Sequence, residues 1–189
     1  MLSNAVSANN TLLVLGDSLS AGYGINQKEG WVSLLQTRLK KKRKPYQVIN
    51  ASITGETTYG GLNRLEKLLY LHNPSILILE LGGNDGLRGF DLDTTYKNLQ
   101  KIIHLSKKKN IKILMLGVRL PPNYGEKYTL QFQSIFKTLA SEENILLIPA
   151  FMLGVAENKN LMQSDGIHPN KKAQIKLLEN IWPALKSML

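Results

Sequence analysis

A chain of 189 residues, 43% hydrophobic and 20% charged, is long enough to bury a core within one domain without metal or disulfide support. It has no cysteine, which excludes a thiol nucleophile, a zinc-thiolate site and a disulfide frame together. The net charge of +10 is densest in "LKKKRKP" (39–45) and "SKKKN" (106–110). Such runs either meet an anionic partner or simply suit the C-terminal ends of helices, and with no aromatic residues interleaved they lack the pattern of a nucleic-acid binder.

The opening "MLSNAVSANN" (1–10) reads either as a short disordered terminus or, through the small residues Val6-Ser7-Ala8, as the end of a secretory signal; the folded domain then spans 11–189. Apolar, β-branched runs follow at Thr11–Leu15, Gln47–Ile49, Ile76–Leu81, Ile111–Leu116 and Ile145–Ile148. Between them apolar residues recur at helical spacing: Trp31, Leu34, Leu35, Leu39; Leu62, Leu65, Leu68, Leu69; Tyr96, Leu99, Ile102, Ile103; Phe132, Ile135, Phe136, Leu139. A last helix is expected at about 171–185. The longest apolar stretches, "SILILEL" (75–81) and "ILLIPAFMLGVA" (145–156), are too short for a transmembrane helix, and Pro149 interrupts the second. Strands alternating with helices, and strands apolar throughout rather than every second residue, predict a three-layer αβα sandwich around a five-stranded parallel sheet buried on both faces. Chemistry in such folds gathers in the loops beyond the carboxyl ends of the strands.

Five loops therefore matter. In "GDSLS" (16–20) a glycine turns the chain from strand into helix, which places Ser18 at the first helical turn, as a nucleophile near free backbone N–H groups or as a plain helix cap; Ser20 lies further into the helix. A serine needs a base. His72 and His104 belong to helical stretches and read as ordinary surface or packed histidines, whereas His168 stands in "SDGIHPN" (164–170), three residues after Asp165. That spacing lets Asp165 hold one imidazole nitrogen while the other faces Ser18, or makes a local turn. Asn84 in "GGNDGLRG" (82–89) and the backbone of Gly55 in "NASITGETT" (50–58) supply candidate oxyanion donors, or else ordinary turns. Leu120, Pro121, Pro122 and Tyr124, with Leu87 and Phe90, line an acyl groove or pack as loops do.

Together, "GDSLSAGYG", "NASITGET", "LGGNDGLRG", "RLPPNYG" and "MQSDGIHPN", in that order from Gly16 to Asn170, resemble the blocks of the GDSL, or SGNH, hydrolase superfamily, and within it the multifunctional bacterial esterases. The resemblance implies a flavodoxin-like SGNH fold and a catalytic triad of Ser18, Asp165 and His168. It also implies an oxyanion hole of the Ser18 and Gly55 N–H groups and the Asn84 amide, and movement of the segment after Asn84 on substrate binding. It further implies a periplasmic or secreted location. No metal or organic cofactor is needed. The expected substrates are fatty-acyl esters, lysophospholipids and acyl thioesters, with the positive charge helping to recruit anionic forms. The chain is expected to be a monomer, to make at most weak contact with an anionic lipid surface and to bind no nucleic acid. Two rivals stand beside this reading: a carbohydrate O-acetylesterase, and a non-catalytic flavodoxin-like module gripping a phosphate on "GDSLSAG".

Overall fold

The structure is a computed structural model that describes residues 10–189, apart from the side chain of Pro122; Val6-Ser7-Ala8 and the rest of 1–9 lie outside the described residues. Five strands, β1 (Thr11–Gly16), β2 (Gln47–Asn50), β3 (Ile76–Glu80), β4 (Lys112–Leu116) and β5 (Leu146–Ile148), form one sheet in the order β2-β1-β3-β4-β5. Every neighbouring pair is parallel. Crossovers are made by α2 (Trp31–Lys41), α3 (Thr58–His72), α5 (Leu92–Lys107) and α6 (Glu126–Glu142). Helix α7 (Gln174–Lys186) closes the chain, and two short helices, α1 (Ser18–Ala21) and α4 (Gly83–Leu87), follow β1 and β3.

Successive side chains of a strand point to opposite faces, so a strand apolar throughout feeds two cores. Leu12 and Val14 of β1 pack with Trp31, Leu35, Phe151 and Leu177 under α2 and α7. Leu13 and Leu15 pack with Leu65, Leu99 and Phe132 under α3, α5 and α6. This is the three-layer sandwich that the alternating pattern predicts.

The boundaries differ in instructive ways. Ile111 and Ile145 precede their strands, because their N–H groups bond back to Ser106 and Ala140 and finish the preceding helices. Asn73, Asn110 and Asn144 take positive φ of 39°, 59° and 47° just after α3, α5 and α6, the left-handed stop that Asn tolerates better than most residues. The last helix opens with a 3-10 turn at Lys171–Ala173 that Asn170 caps, so regular helix begins only at Gln174. Residues 149–163 carry no strand or α-helix and wrap back over the carboxyl edge of the sheet.

Phe132 is fully buried and meets Phe136 edge-on at 5.3 Å between ring centroids. Phe132→Ala should therefore cost ~3–5 kcal/mol in urea unfolding; a loss below about 1 kcal/mol would mean that this core repacks freely.

Candidate active site

Strand β1 ends at Gly16, directly opposite Glu80 at the end of β3. A Cβ at position 16 would stand 2.8 Å from both Glu80 Oε2 and Ser20 Oγ, so only glycine fits. Asp17 caps α1 by accepting the Leu19 N–H at 3.0 Å, and Gly22, at φ +77°, ends the helix after one turn. Ser18 is the first helical residue, and its N–H has no carbonyl a turn earlier to bond. Its hydroxyl stands at the carboxyl edge of the sheet.

His168 Nε2 lies 2.9 Å from Ser18 Oγ, and His168 Nδ1 lies 2.7 Å from Asp165 Oδ2. The other Asp165 oxygen accepts the N–H groups of His168 (3.0 Å) and Ile167 (2.9 Å), with Gly166 at φ +68° allowing the chain to fold back. The His168 N–H foremost, with the His168 ring and the Ile167 N–H, holds the Asp165 carboxyl down to about 2, so it is ionised at any working pH. Tyr23 covers the His168 ring at 4.5 Å between centroids. Gln163 donates to Tyr23 O (2.7 Å) and Pro169 O (3.1 Å), tying the serine loop to the histidine loop. Gly24 makes room: a Cβ there would stand 2.1 Å from Gln163 Oε1.

Asn84 comes beside this cluster, but it is not a free donor. Its Nδ2 bonds Asp17 Oδ2 and Glu56 O, both at 3.0 Å. Gly55 sits at φ +78° with its carbonyl accepting from Arg88 at 3.1 Å. The other two histidines are remote from the cluster, His104 being paired to Glu143 at 2.6 Å on α5 and His72 ending α3.

Beneath the serine turn lie two carboxyl groups that sequence reasoning missed as a pair. Glu80 is fully buried; its Oε2 accepts the Ser20 hydroxyl (2.7 Å) and the Asp17 N–H (3.2 Å), and its Oε1 has no partner. Burial, reinforced by the charge of Asp17, pushes Glu80 well above the usual carboxylate range, which favours its uncharged form. Burial also raises Asp17 to about 6, partly offset by the Leu19 N–H. Glutamate at the end of an apolar strand, "ILILE", was the available signal.

A cavity of about 560 Å³ opens beside Ser18 and His168. Leu87, Leu120 and Pro121 line it, but much of the wall is Met152, Leu153, Ala156, Met162 and Ile167 from the irregular segment after β5. Two groove expectations need correcting. Tyr124 does not line the cavity; its hydroxyl donates to Leu87 O at 2.9 Å and braces the loop from behind. Phe90 faces a separate shallow depression with Asp91 and Tyr128, because the chain turns away at Gly89. Gly55 likewise lies outside the lining. Among the described residues no group of three or more His, Asp or Glu is arranged to hold a metal ion.

Residues 14–174 match the GDSL-like Lipase/Acylhydrolase family. The chain belongs to that family. It is a serine esterase, a hydrolase of ester bonds. It is 46% identical to Esterase TesA of Pseudomonas aeruginosa over 183 residues, 97% of this chain and 91% of that one. It is 44% identical to Thioesterase 1/protease 1/lysophospholipase L1 of Escherichia coli over 174 residues, 92% and 82% of the two chains. The crystal structure of TesA superposes with a TM-score of 0.93 at 46% identity, covering 95% of this chain and 99% of that one. The esterase EstA from Pseudoalteromonas sp., inhibited by monoethylphosphonate, gives 0.90 at 42% identity, covering 94% and 97%.

In this esterase, Glu80→Gln keeps an uncharged group with an acceptor for Asp17 and Ser20, whereas Glu80→Leu strands both donors. Leu should cost ~1–3 kcal/mol for each donor left unpaired, and Gln little, in urea unfolding; equal losses would show that Glu80 acts through its charge. The buried Asp17 sets a pH dependence. The folded state holds its proton up to about 6, while the unfolded carboxyl titrates near 3.8, so this group's contribution to stability falls as pH rises through that window. Relative to Asp17→Asn, the wild type should lose up to ~3 kcal/mol between pH 4 and 7. A constant difference across that range in calorimetry would contradict the assignment.

Proposed function

We propose that this esterase hydrolyses fatty-acyl esters and thioesters through an acyl-enzyme on Ser18. In this reading His168 takes the Ser18 proton as the hydroxyl attacks the carbonyl carbon, then delivers it to the leaving oxygen or sulfur. In the second half His168 takes a proton from the attacking water and returns it to Ser18 Oγ as the acid leaves. Asp165, ionised, fixes the imidazole tautomer and stabilises the cation formed on it. The observation that carries the proposal is the continuous 2.7 Å and 2.9 Å relay from Asp165 through His168 to Ser18 at the mouth of an apolar cavity.

The oxyanion falls to the N–H groups of Ser18 and Gly55 and to Asn84. Asn84 can join only by exchanging one of its two present bonds, to Asp17 or to Glu56 O, for the oxyanion. The cavity wall favours acyl chains longer than acetyl, which an O-acetylesterase would have no use for. Esters, thioesters and lysophospholipids appear in the names of the relatives, and each presents an acyl chain suited to this wall. The same proposal includes a single hydrolase domain over 11–189, a monomer, and a periplasmic or secreted location, the last resting on the family resemblance.

The test is hydrolysis of p-nitrophenyl esters from acetate to palmitate. The wild type should prefer medium or long chains, and Ser18→Ala should lose a factor of ~10⁴ or more in kcat. Ala156→Trp, which fills the cavity, should lower kcat/KM about tenfold on long chains and leave acetate nearly untouched. Turnover surviving in Ser18→Ala would overturn the nucleophile, and equal effects of Ala156→Trp on all chains would overturn the acyl site.

A further inference from the structure

Charge in this chain is sorted along the strand direction. Ten of the 14 acidic residues lie at the carboxyl ends of the strands, in the connections that follow or in the first turn of the next helix: Asp17, Glu29, Glu56, Glu80, Asp85, Asp91, Asp93, Glu126, Glu157 and Asp165. The opposite edge, where helices end and strands begin, carries the basic runs. Lys40 and Lys41 end α2 and Lys42, Arg43 and Lys44 lead on toward β2; Lys107 ends α5, Lys108 and Lys109 follow it, and Lys112 opens β4. With Lys186 at the end of α7 these are ten of the 24 Lys and Arg. The edge is continuous: Lys44 Nζ and Lys112 Nζ donate to Leu189 O (3.2 Å) and Met188 O (3.1 Å), so the end of the chain lies between the two runs. The Lys112 N–H donates to Ser75 O at 3.0 Å, joining the end of α3 to it.

The two acids nearest this edge are already engaged, Glu142 by Tyr96 and Glu143 by His104 and Lys107. Among the described residues Lys40, Lys41, Arg43, Lys108 and Lys109 are exposed and make no ion pair. Large apolar side chains stand out among these cations: Tyr70 (82% exposed) and Leu71 (59%) at the end of α3, and Leu146 (43%) at the start of β5. The dense runs therefore lie on the far side of the sheet from the cleft, where Arg119 lines the cavity.

We propose that this edge is a docking face for an anionic lipid bilayer, which holds the esterase with its cleft turned toward water. Cations supply attraction to anionic headgroups, and Tyr70, Leu71 and Leu146 supply the apolar contact that fixes a face at the lipid–water boundary. A nucleic acid would use the cations but offers no apolar phase for the leucines. A molecule seated this way meets monomeric substrates arriving from solution rather than lipids within the bilayer beneath it.

The experiment is flotation with vesicles of phosphatidylcholine alone or with 30% phosphatidylglycerol, at 50 and 500 mM NaCl. Binding should require the anionic lipid and fall at least tenfold at the higher salt. Charge reversal at Lys40, Lys41, Lys108 and Lys109 to Glu should abolish it while kcat/KM on p-nitrophenyl butyrate stays within twofold, which also shows that the variant is folded. Tyr70→Ala with Leu71→Ala should weaken binding severalfold at fixed salt. Because the chain has no cysteine, an environment-sensitive dye can be placed singly. At Tyr70→Cys it should blue-shift on anionic vesicles, and at Lys28→Cys, on the cleft side, it should not. Absence of vesicle binding, equal binding to neutral vesicles, a blue shift at position 28 instead of 70, or tighter binding to a DNA duplex than to the vesicles would each overturn the proposal.

Discussion

One hydrogen bond, between Ser18 and His168, joins residues 150 apart in sequence, and most of the architecture can be understood as what holds its two ends together. Ser18 leaves β1 near the middle of the sheet, while the histidine arrives after β5 at the edge, three strands or about 14 Å away. The irregular segment 149–170 covers that gap. Its end is fixed by the pairing of Met162 with Pro169, by Asn170 donating to Asn160 O and Met162 O, and by Gln163 reaching across to Tyr23 O. The same segment turns its apolar side chains inward and becomes a wall of the cavity. Positioning the base and shaping the acyl site are thus one structural task.

The serine end of that bond rests on a buried polar layer. A carboxyl group removed from water is costly unless it is neutral or well bonded. Glu80 meets this with a raised affinity for its proton and by accepting from Asp17 and Ser20. Asp17 meets it partially, with Leu19 and Asn84 as donors, and retains a raised affinity for its proton. The residue next to Ser18 therefore has its carboxyl raised to about 6 while bonded to a candidate oxyanion donor. The turn gains rigidity from this layer at some expense in stability, the exchange commonly found where a fold is arranged around chemistry.

Much of this was legible in the residues themselves. Strand and helix periods gave the layers, and the loop blocks marked Ser18, Asn84, Asp165 and His168, because glycine, aspartate and histidine at short spacing leave a local signature. The misses were long-range. Nothing near Tyr124 says that its hydroxyl turns back to Leu87 O, and nothing near Phe90 says that Gly89 swings it off the cleft. Nothing near Met152, Leu153 and Ala156 marks them as cavity wall: β5 stops at Ile148, after three residues, and the chain continues apolar without continuing as strand. The bonds that occupy the Asn84 amide depend on Glu56 and Asp17, from two other loops, and no local pattern encodes such a meeting.

Covalent labelling distinguishes a Ser18 that carries the acyl group from one that only caps α1. The protein would be treated with an alkyl phosphonate bearing a good leaving group, followed by intact mass and peptide mapping. One phosphonyl group per chain should form on Ser18, in step with loss of esterase activity, and should be absent from both Ser18→Ala and His168→Ala over the same interval. Labelling of Ser20 or another residue, or activity that survives stoichiometric modification of Ser18, would contradict it.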